Sequence, residues 1–326
     1  PILYAPLLLL VPALVLRHRS LRALAAVNPG LPHGGILDGS KSTALAAFAA
    51  AGPAVARHQR LPIEKSAEER SQTLRAFLRR TGLDYPLVLK PDHGTEGSGV
   101  CIVPDEAVAQ SYLQRIQVDC VAQEWVAGLE VDIGYVRHPE QPVGQIAWMT
   151  QKEFPQVEGD GERSLEDLIY ADPRAACWVD AYLAWAGDTA NRVPAHGEHV
   201  VLTGFGPHSR GTIQRDASVL VTPALTAAVE AIARTCPGFH MGRFDVRVPS
   251  LADLQNGTNL CVIEWNGPAR TPTHVRDPRH GLGFAWRTLL AHWRALFAIG
   301  AANCRNGAPA IPLRELLRVW QLQRRG

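Results

Sequence analysis

Two stretches of the 326-residue chain carry residues whose types and spacing could do chemistry. The first is KPDHGTEGSGV, residues 90 to 100, where Lys90 ends the apolar run YPLVLK and Gly94, Gly97 and Gly99 follow with Ser98 among them. A lysine at a strand end, beside a loop nearly free of side chains, suits phosphate. Backbone N–H groups close over the oxygens while the ammonium neutralises them. Taken alone, the stretch is equally a plain glycine hairpin. The second is the pair RFDVRV and VIEWNG. With a period of two along a strand, Glu264 and Asn266 share a face, and Asp245 lies on the neighbouring strand. Ligands that are all oxygen, on adjacent strands, suit Mg²⁺, which shares its coordination with substrate phosphates. An Asp inside so apolar a strand is costly unless paired or metal-bound. The plain alternative is an ion pair of Asp245 with Arg243 or Arg247, which leaves Glu264 and Asn266 without a role.

The elements that must position these residues alternate along the chain. An alanine-rich helix (44–56) is broken at Gly52 and Pro53, and SAEERSQTLRAFLRR (66–80) reads as a helix with Leu74, Phe77 and Leu78 on one face. The runs 85–90 and 99–103 read as strands joined by the glycine loop, so that loop opens no helix and the dinucleotide fingerprint is excluded. A helix over 105–116, strands over 120–126, EVDIGYV and VGQIAWM, and a Ser164–Asp167 helix cap follow. A strand over 199–205, a helix over 221–236, paired strands over 240–248 and 259–266, and a largely buried helix over 283–299 complete the pattern. Strands and helices interleave in two batches, which predicts two packed α+β lobes.

Composition bounds the rest. There are 33 basic and 31 acidic residues with no long block of one sign, so nucleic acid is not expected as a partner. Six cysteines (Cys101, Cys120, Cys177, Cys236, Cys261 and Cys304) form no C-x-x-C pair and read as buried thiols of a reducing cytoplasm. PILYAPLLLLVPALVL at the start is too short to span a bilayer and holds prolines at 6 and 12. It is expected to be a buried edge of the fold, with a shallow membrane or apolar-substrate contact as the less favoured reading. The tail 312–325 reads as an amphipathic basic helix packed on the body.

Together these residues resemble the ATP-grasp superfamily, and within it the carboxylate–amine ligases similar to D-alanine D-alanine ligase and cyanophycin synthetase, from about Ser40 to about Gly307. The resemblance implies an α+β, ATP-grasp fold with two lobes, ATP bound between them, and a short N-terminal segment. The expected division is 1–40 for that segment, 41–126 for the small lobe, 127–307 for the large lobe with the Mg²⁺ site, and 308–326 for the C-terminal helix. Lys41 in DGSK, one place too late for a Walker motif, and Lys90 would reach the ATP phosphates, with 93–98 as the lid. Glu124, Trp125 and Val126 would face adenine, and Glu130 the ribose. Asp245, Glu264 and Asn266 carry over as ligands of Mg²⁺, two ions or Mn²⁺ in its place, and Arg243 as the cation that steadies an acyl-phosphate. Lys152 and Arg210, with His208, would present basic groups to phosphate or substrate.

The implied activity is an ATP-dependent ligase joining a small-molecule carboxylate to an amine, both amino-acid or peptide-like, in a cytoplasmic protein that could be a homodimer. An ATP-grasp kinase and a non-catalytic nucleotide-binding protein are the alternatives. Two departures stand out. Only about 40 residues precede Lys41, where the family has a whole domain. After Asn266 the chain runs GPARTPTHVRDPRHG, rich in Arg270, His274, Arg276 and Arg279, which suits an acidic or carboxylated substrate and equally a loop of exposed charges.

Overall fold

A computed structural model describes residues 2–18, 21–36, 39–94, 97–204 and 211–308. Along the chain run α1 (Leu7–His18), α2 (Lys41–Ala46), β1 (His58–Leu61), α3 (Ala67–Thr81), β2 (Leu87–Pro91), β3 (Cys101–Val103), α4 (Glu106–Arg115) and β4 (Cys120–Glu124). Then come β5 (Leu129–Val136), β6 (Gln145–Glu153), β7 (Gln156–Glu158), α5 (Leu165–Ala171), α6 (Val179–Ala186), β8 (His199–Val201) and β9 (Ile213–Asp216). The rest is α7 (Pro223–Arg234), β10 (Met241–Val248), α8 (Leu251–Asn256), β11 (Cys261–Asn266) and α9 (Leu282–Arg305). The mixture is α+β, as the sequence predicts.

The chain divides into two compact units. The larger holds the described residues through His93, then Gly99–Gln151, and those from Asp216 on; the smaller holds the described residues of 94–98 and 152–215. The boundary expected at 126/127 instead falls between two sheets of the larger unit, since β4 ends at Glu124 and β5 begins at Leu129.

The first of these sheets has the order β1-β4-β2-β3, antiparallel throughout. Leu87 and Leu89 of β2 alternate with Val88 and Lys90, and the leucines enter a core with Leu74 and Phe77 of α3 and Leu113 of α4. The period of two therefore turns Lys90 to the opposite face. α3 forms where expected because Ser66 and Glu69 complete a capping box and Gly82 ends it in the left-handed region. β1 has no periodic signal in HQRL and is set by its pairing with β4.

The second sheet runs β11-β10-β5-β6 within the larger unit, and β6 and β9 carry the chain out of that unit and back. Val131, Ile133, Met149, Phe244, Val246 and Val262 line one face and pack on Leu225, Val229 and Ile232 of α7. The other face bears polar residues and is described below. Buried Asn28 ties the N-terminal segment to β10: its carbonyl accepts from His240 and Met241 N–H at 2.7 and 2.9 Å, and its amide donates to Met241 O.

The smaller unit packs Leu165, Leu168, Ile169, Tyr182 and Leu202. Ser164 and Asp167 form the expected capping box, here at the head of α5. Residues 312–325, expected as an amphipathic helix, lie outside the described residues. The apolar N-terminus is not the buried edge the sequence suggests, since Leu14 alone is buried along α1.

Three histidines of the larger unit are held neutral. Burial pushes His240, His274 and His292 down to about 4 from an ordinary 6.5. Their folded values are depressed, so protonation favours the unfolded chain, and stability present above pH 6.5 is lost as the pH falls toward 4. The thermal midpoint is expected to fall across that window, and His240→Gln with His292→Gln to flatten the slope. A midpoint flat from pH 6.5 to 4 would contradict the burial of neutral imidazoles.

Candidate active site

The polar face of the second sheet is built by register. Asp245 of β10 stands opposite Asp132 of β5 on one side and Glu264 of β11 on the other, and Asp132 stands opposite Thr150 of β6. Residues directly opposite in an antiparallel pair share a face. The row Thr150, Asp132, Asp245 and Glu264 therefore crosses four strands on one surface. Two residues along, Arg243 stands opposite Asn266 on that same face. Arg243 closes back onto Asp245, its Nε 2.7 Å from Oδ1 and its second nitrogen 3.3 Å from Oδ2. The Asn266 amide donates to Asp245 Oδ1 at 3.1 Å. Burial works against the guanidinium's charge, yet Asp245, Asp132 and Glu264 hold its pKa above the ordinary arginine value.

Asp132 is the residue the sequence reading missed. It is fully buried in EVDIGYV, an acid in an apolar strand, the same signal that singled out Asp245. Thr273 Oγ1 lies 2.7 Å from Asp132 Oδ2 and 2.8 Å from Thr150 Oγ1, which pins the segment after Asn266 onto the acidic row. Of the basic residues in that segment, His274 is buried and stacked on Trp148, and Arg279 is paired with Asp277. Arg270 lines a small cleft with Arg243, Gly134, Trp148, Gly242 and His292. Gly134 is required there, since a Cβ would stand 2.2 Å from the Trp148 ring.

The first sheet supplies Lys90, and the head of α2 supplies Lys41. The Lys90 ammonium donates to Ile263 O at 3.3 Å, beside Glu264, and the Gln123 amide donates to the same oxygen at 2.8 Å. Burial and the neighbouring Lys41 push the Lys90 pKa down, while Glu264, Asp245 and Glu130 oppose that shift. Lys90, Lys41 and the acidic row are thus brought together. Lys41 is placed by Asp92, two residues past Lys90: Asp92 O accepts from Lys41 N–H at 2.9 Å and its carboxylate from Ser42 N–H at 2.8 Å. Ser40 Oγ caps the same turn through Thr43 N–H.

Glu130, expected on ribose hydroxyls, is held by Arg247 in a buried pair at 2.6 Å, and that guanidinium lies over the Trp125 ring. Glu124 is paired with Arg57, and Val126 is half-buried beside them in the chain. Gly99, at φ +69°, lies against Pro91, whose ring a Cβ would meet at 2.7 Å. Gly94, Gly97, Ser98 and Lys152 belong to the smaller unit. His208 and Arg210 lie outside the described residues.

Among the described residues no three His, Cys, Asp and Glu side chains converge as a metal cage. The expected set differs from such a cage, being two carboxylates and the amide of Asn266. Its residue types and shared face fit a hard cation, and Arg243 is paired with the Asp245 carboxylate.

No family model matches the chain, and no curated protein matches it. Among solved structures it is similar to a bifunctional glutathione synthetase from Pasteurella multocida, at 17% identity and a TM-score of 0.40, over 78% of this chain and 36% of that one. It is similar to the D-alanine–D-alanine ligase from Coxiella burnetii at 12% identity and a TM-score of 0.44, over 87% of this chain and 61% of that one. An ATP-grasp ligase, PsnB, shares 14% identity at a TM-score of 0.41, over 78% of this chain and 60% of that one.

Asp92→Ala removes the acceptor of the buried Ser42 N–H. The expected cost is about 1–3 kcal/mol, read as a lower midpoint in urea unfolding, together with weaker nucleotide binding through displaced Lys41. An unchanged midpoint and affinity would remove Asp92 from the positioning of that lysine.

Proposed function

We propose that the protein is an ATP-dependent carboxylate–amine ligase. The supporting observation is Lys90, bonded to Ile263 O beside a sheet face that carries Asp245, Glu264, Asn266 and Arg243, with Lys41 tied through its backbone to Asp92 two residues past Lys90. Cations answer phosphate charge, oxygen ligands answer a hard metal, and a fixed guanidinium answers an oxyanion.

In this reading Lys41 and Lys90 bind the phosphates of ATP and spread the charge that builds on the transferred phosphoryl group. Asp245, Glu264 and Asn266 would hold Mg²⁺, which when bound neutralises phosphate oxygens. The substrate carboxylate attacks the γ-phosphorus, the bond to ADP breaks, and an acyl-phosphate results. The amine then attacks the acyl carbon, the oxyanion faces Arg243, phosphate leaves, and the amine's proton is lost to give the amide. Arg243 is pre-aimed by its double contact with Asp245, so little reorganisation is needed as charge develops. Arg243 and Arg270 line one small cleft, and two guanidiniums there are in keeping with an acidic or amino-acid-like substrate nearby.

Titration calorimetry with ATP and Mg²⁺ should show binding, and phosphate release should require both a carboxylate and an amine from a panel of amino acids and dipeptides. Phosphate transfer to a hydroxyl without amide formation would replace the ligase by a kinase. Glu264→Gln is expected to abolish turnover while keeping part of the nucleotide affinity, because one metal ligand loses its charge. Lys90→Ala should weaken ATP binding about tenfold or more, as loss of a charge-assisted contact implies, and unchanged affinity would take Lys90 out of the site.

A further inference from the structure

The ten residues Leu7–Leu16 of α1 include no polar side chain. A helix apolar on every side needs cover on every side. One side has it: Leu14 is buried with Leu296, Phe297 and Ile299, and Leu10, Val11 and Val15 pack against that cluster. Among the described residues the other side does not. Leu8, Leu9 and Leu16 are 76, 82 and 78% exposed, and Ile2 in the preceding turn is 68% exposed. The helix is nonetheless held in place, since Trp286 Nε1 of α9 donates to Ile2 O and His18 stacks on Phe297. Among the described residues, no helix is long and apolar enough to cross a membrane.

Charge decides what covers this face. The chain has no acidic residue before Asp38, and α1 ends in Arg17 and His18. α9, the helix on which α1 rests, also has no acidic residue. Its exposed arginines, Arg287, Arg294 and Arg305, recur at intervals of seven and eleven, so they form one stripe along the helix. That stripe flanks the row of Trp286, Trp293 and Phe297 that carries α1. Arg17 and Arg305 both bear on His18, whose pKa burial and these two cations push down. Arg305 has an acidic neighbour, Glu140 at 3.3 Å, in a pair too exposed to bind it strongly. In a chain whose formal charge is only +2, this is a local concentration of positive charge around exposed leucines.

We propose that the α1 and α9 surface docks on an anionic lipid surface, with Ile2, Leu8, Leu9 and Leu16 entering the acyl boundary and the arginine stripe meeting lipid phosphates. Apolar burial and basic residues together are what interfacial anchoring uses. A second copy of the chain fits less well: a two-fold contact sets the same patch against itself, and the arginines would face arginines. The inference is independent of the ligase reading.

The test is flotation of the whole protein with vesicles of phosphatidylcholine alone and of phosphatidylcholine mixed with phosphatidylglycerol. Binding is expected on the mixed vesicles, to weaken with added salt, and to be lost in Leu8→Asp with Leu9→Asp. Those side chains are exposed, so the variant should fold, and an unchanged thermal midpoint verifies it. Arg287→Gln with Arg294→Gln should lower binding to the mixed vesicles by about fivefold per charge. Failure to float with either vesicle overturns the proposal, as does binding that the leucine variant leaves intact. Sedimentation as a dimer that Leu8→Asp with Leu9→Asp dissociates, without vesicle binding, would assign the face to self-association instead.

Discussion

Carboxylates gathered on a buried sheet face are unstable unless cations answer them, and much of the larger unit follows from that constraint. Glu130, Asp132, Asp245 and Glu264 sit on one surface of the second sheet. Arg247 answers Glu130, Arg243 answers Asp245, Thr273 and Thr150 bond around Asp132, and Lys90 arrives from the first sheet beside Glu264. The same contacts join the two sheets, because Lys90 and Gln123 share the Ile263 oxygen and Ala56 N–H donates to Val262 O. Groups that would meet phosphate and metal are thus also groups that fix the strands.

That economy has a consequence for chemistry. A guanidinium already paired twice with Asp245 is held at a fixed position and in its charged form. Lys90 is buried beside Lys41, which disfavours its charge, while Glu264, Asp245 and Glu130 favour it. The apolar opposite face, packed on α7, keeps the strands that carry these charges in register.

The outer surface obeys a different rule. α1 and α9 combine exposed leucines with arginines and no acids, a pattern that water alone does not favour over so wide a face. The reading of this segment as a buried edge treated hydrophobicity as a proxy for burial. Pattern in a sequence reports which residues avoid water, and another solvent can meet that need as well as a core can.

Strand alternation made the sheets legible. Leu87 and Leu89 against Lys90, and Phe244 and Val246 against Asp245, assign faces with a period of two and no knowledge of neighbours. The Ser66 and Ser164 caps were equally legible, because a capping box closes within four residues. Asp132 is as visible in its apolar strand as Asp245, and only the register opposite Asp245 separates it from Glu130: Glu130 pairs with Arg247 and Asp132 joins the row. β1 could not be read, since HQRL becomes a strand through β4. Nor could the fates of Arg279, His274 and Arg270, which leave one loop for an ion pair, a ring stack and a cleft. The sequence by itself determined the local elements, the facing of each strand and the residue types able to meet phosphate and metal, because those depend on neighbours a few positions away. Tertiary structure decided which partner answers each charge, because that depends on residues more than a hundred positions apart, as Lys90 and Ile263 are.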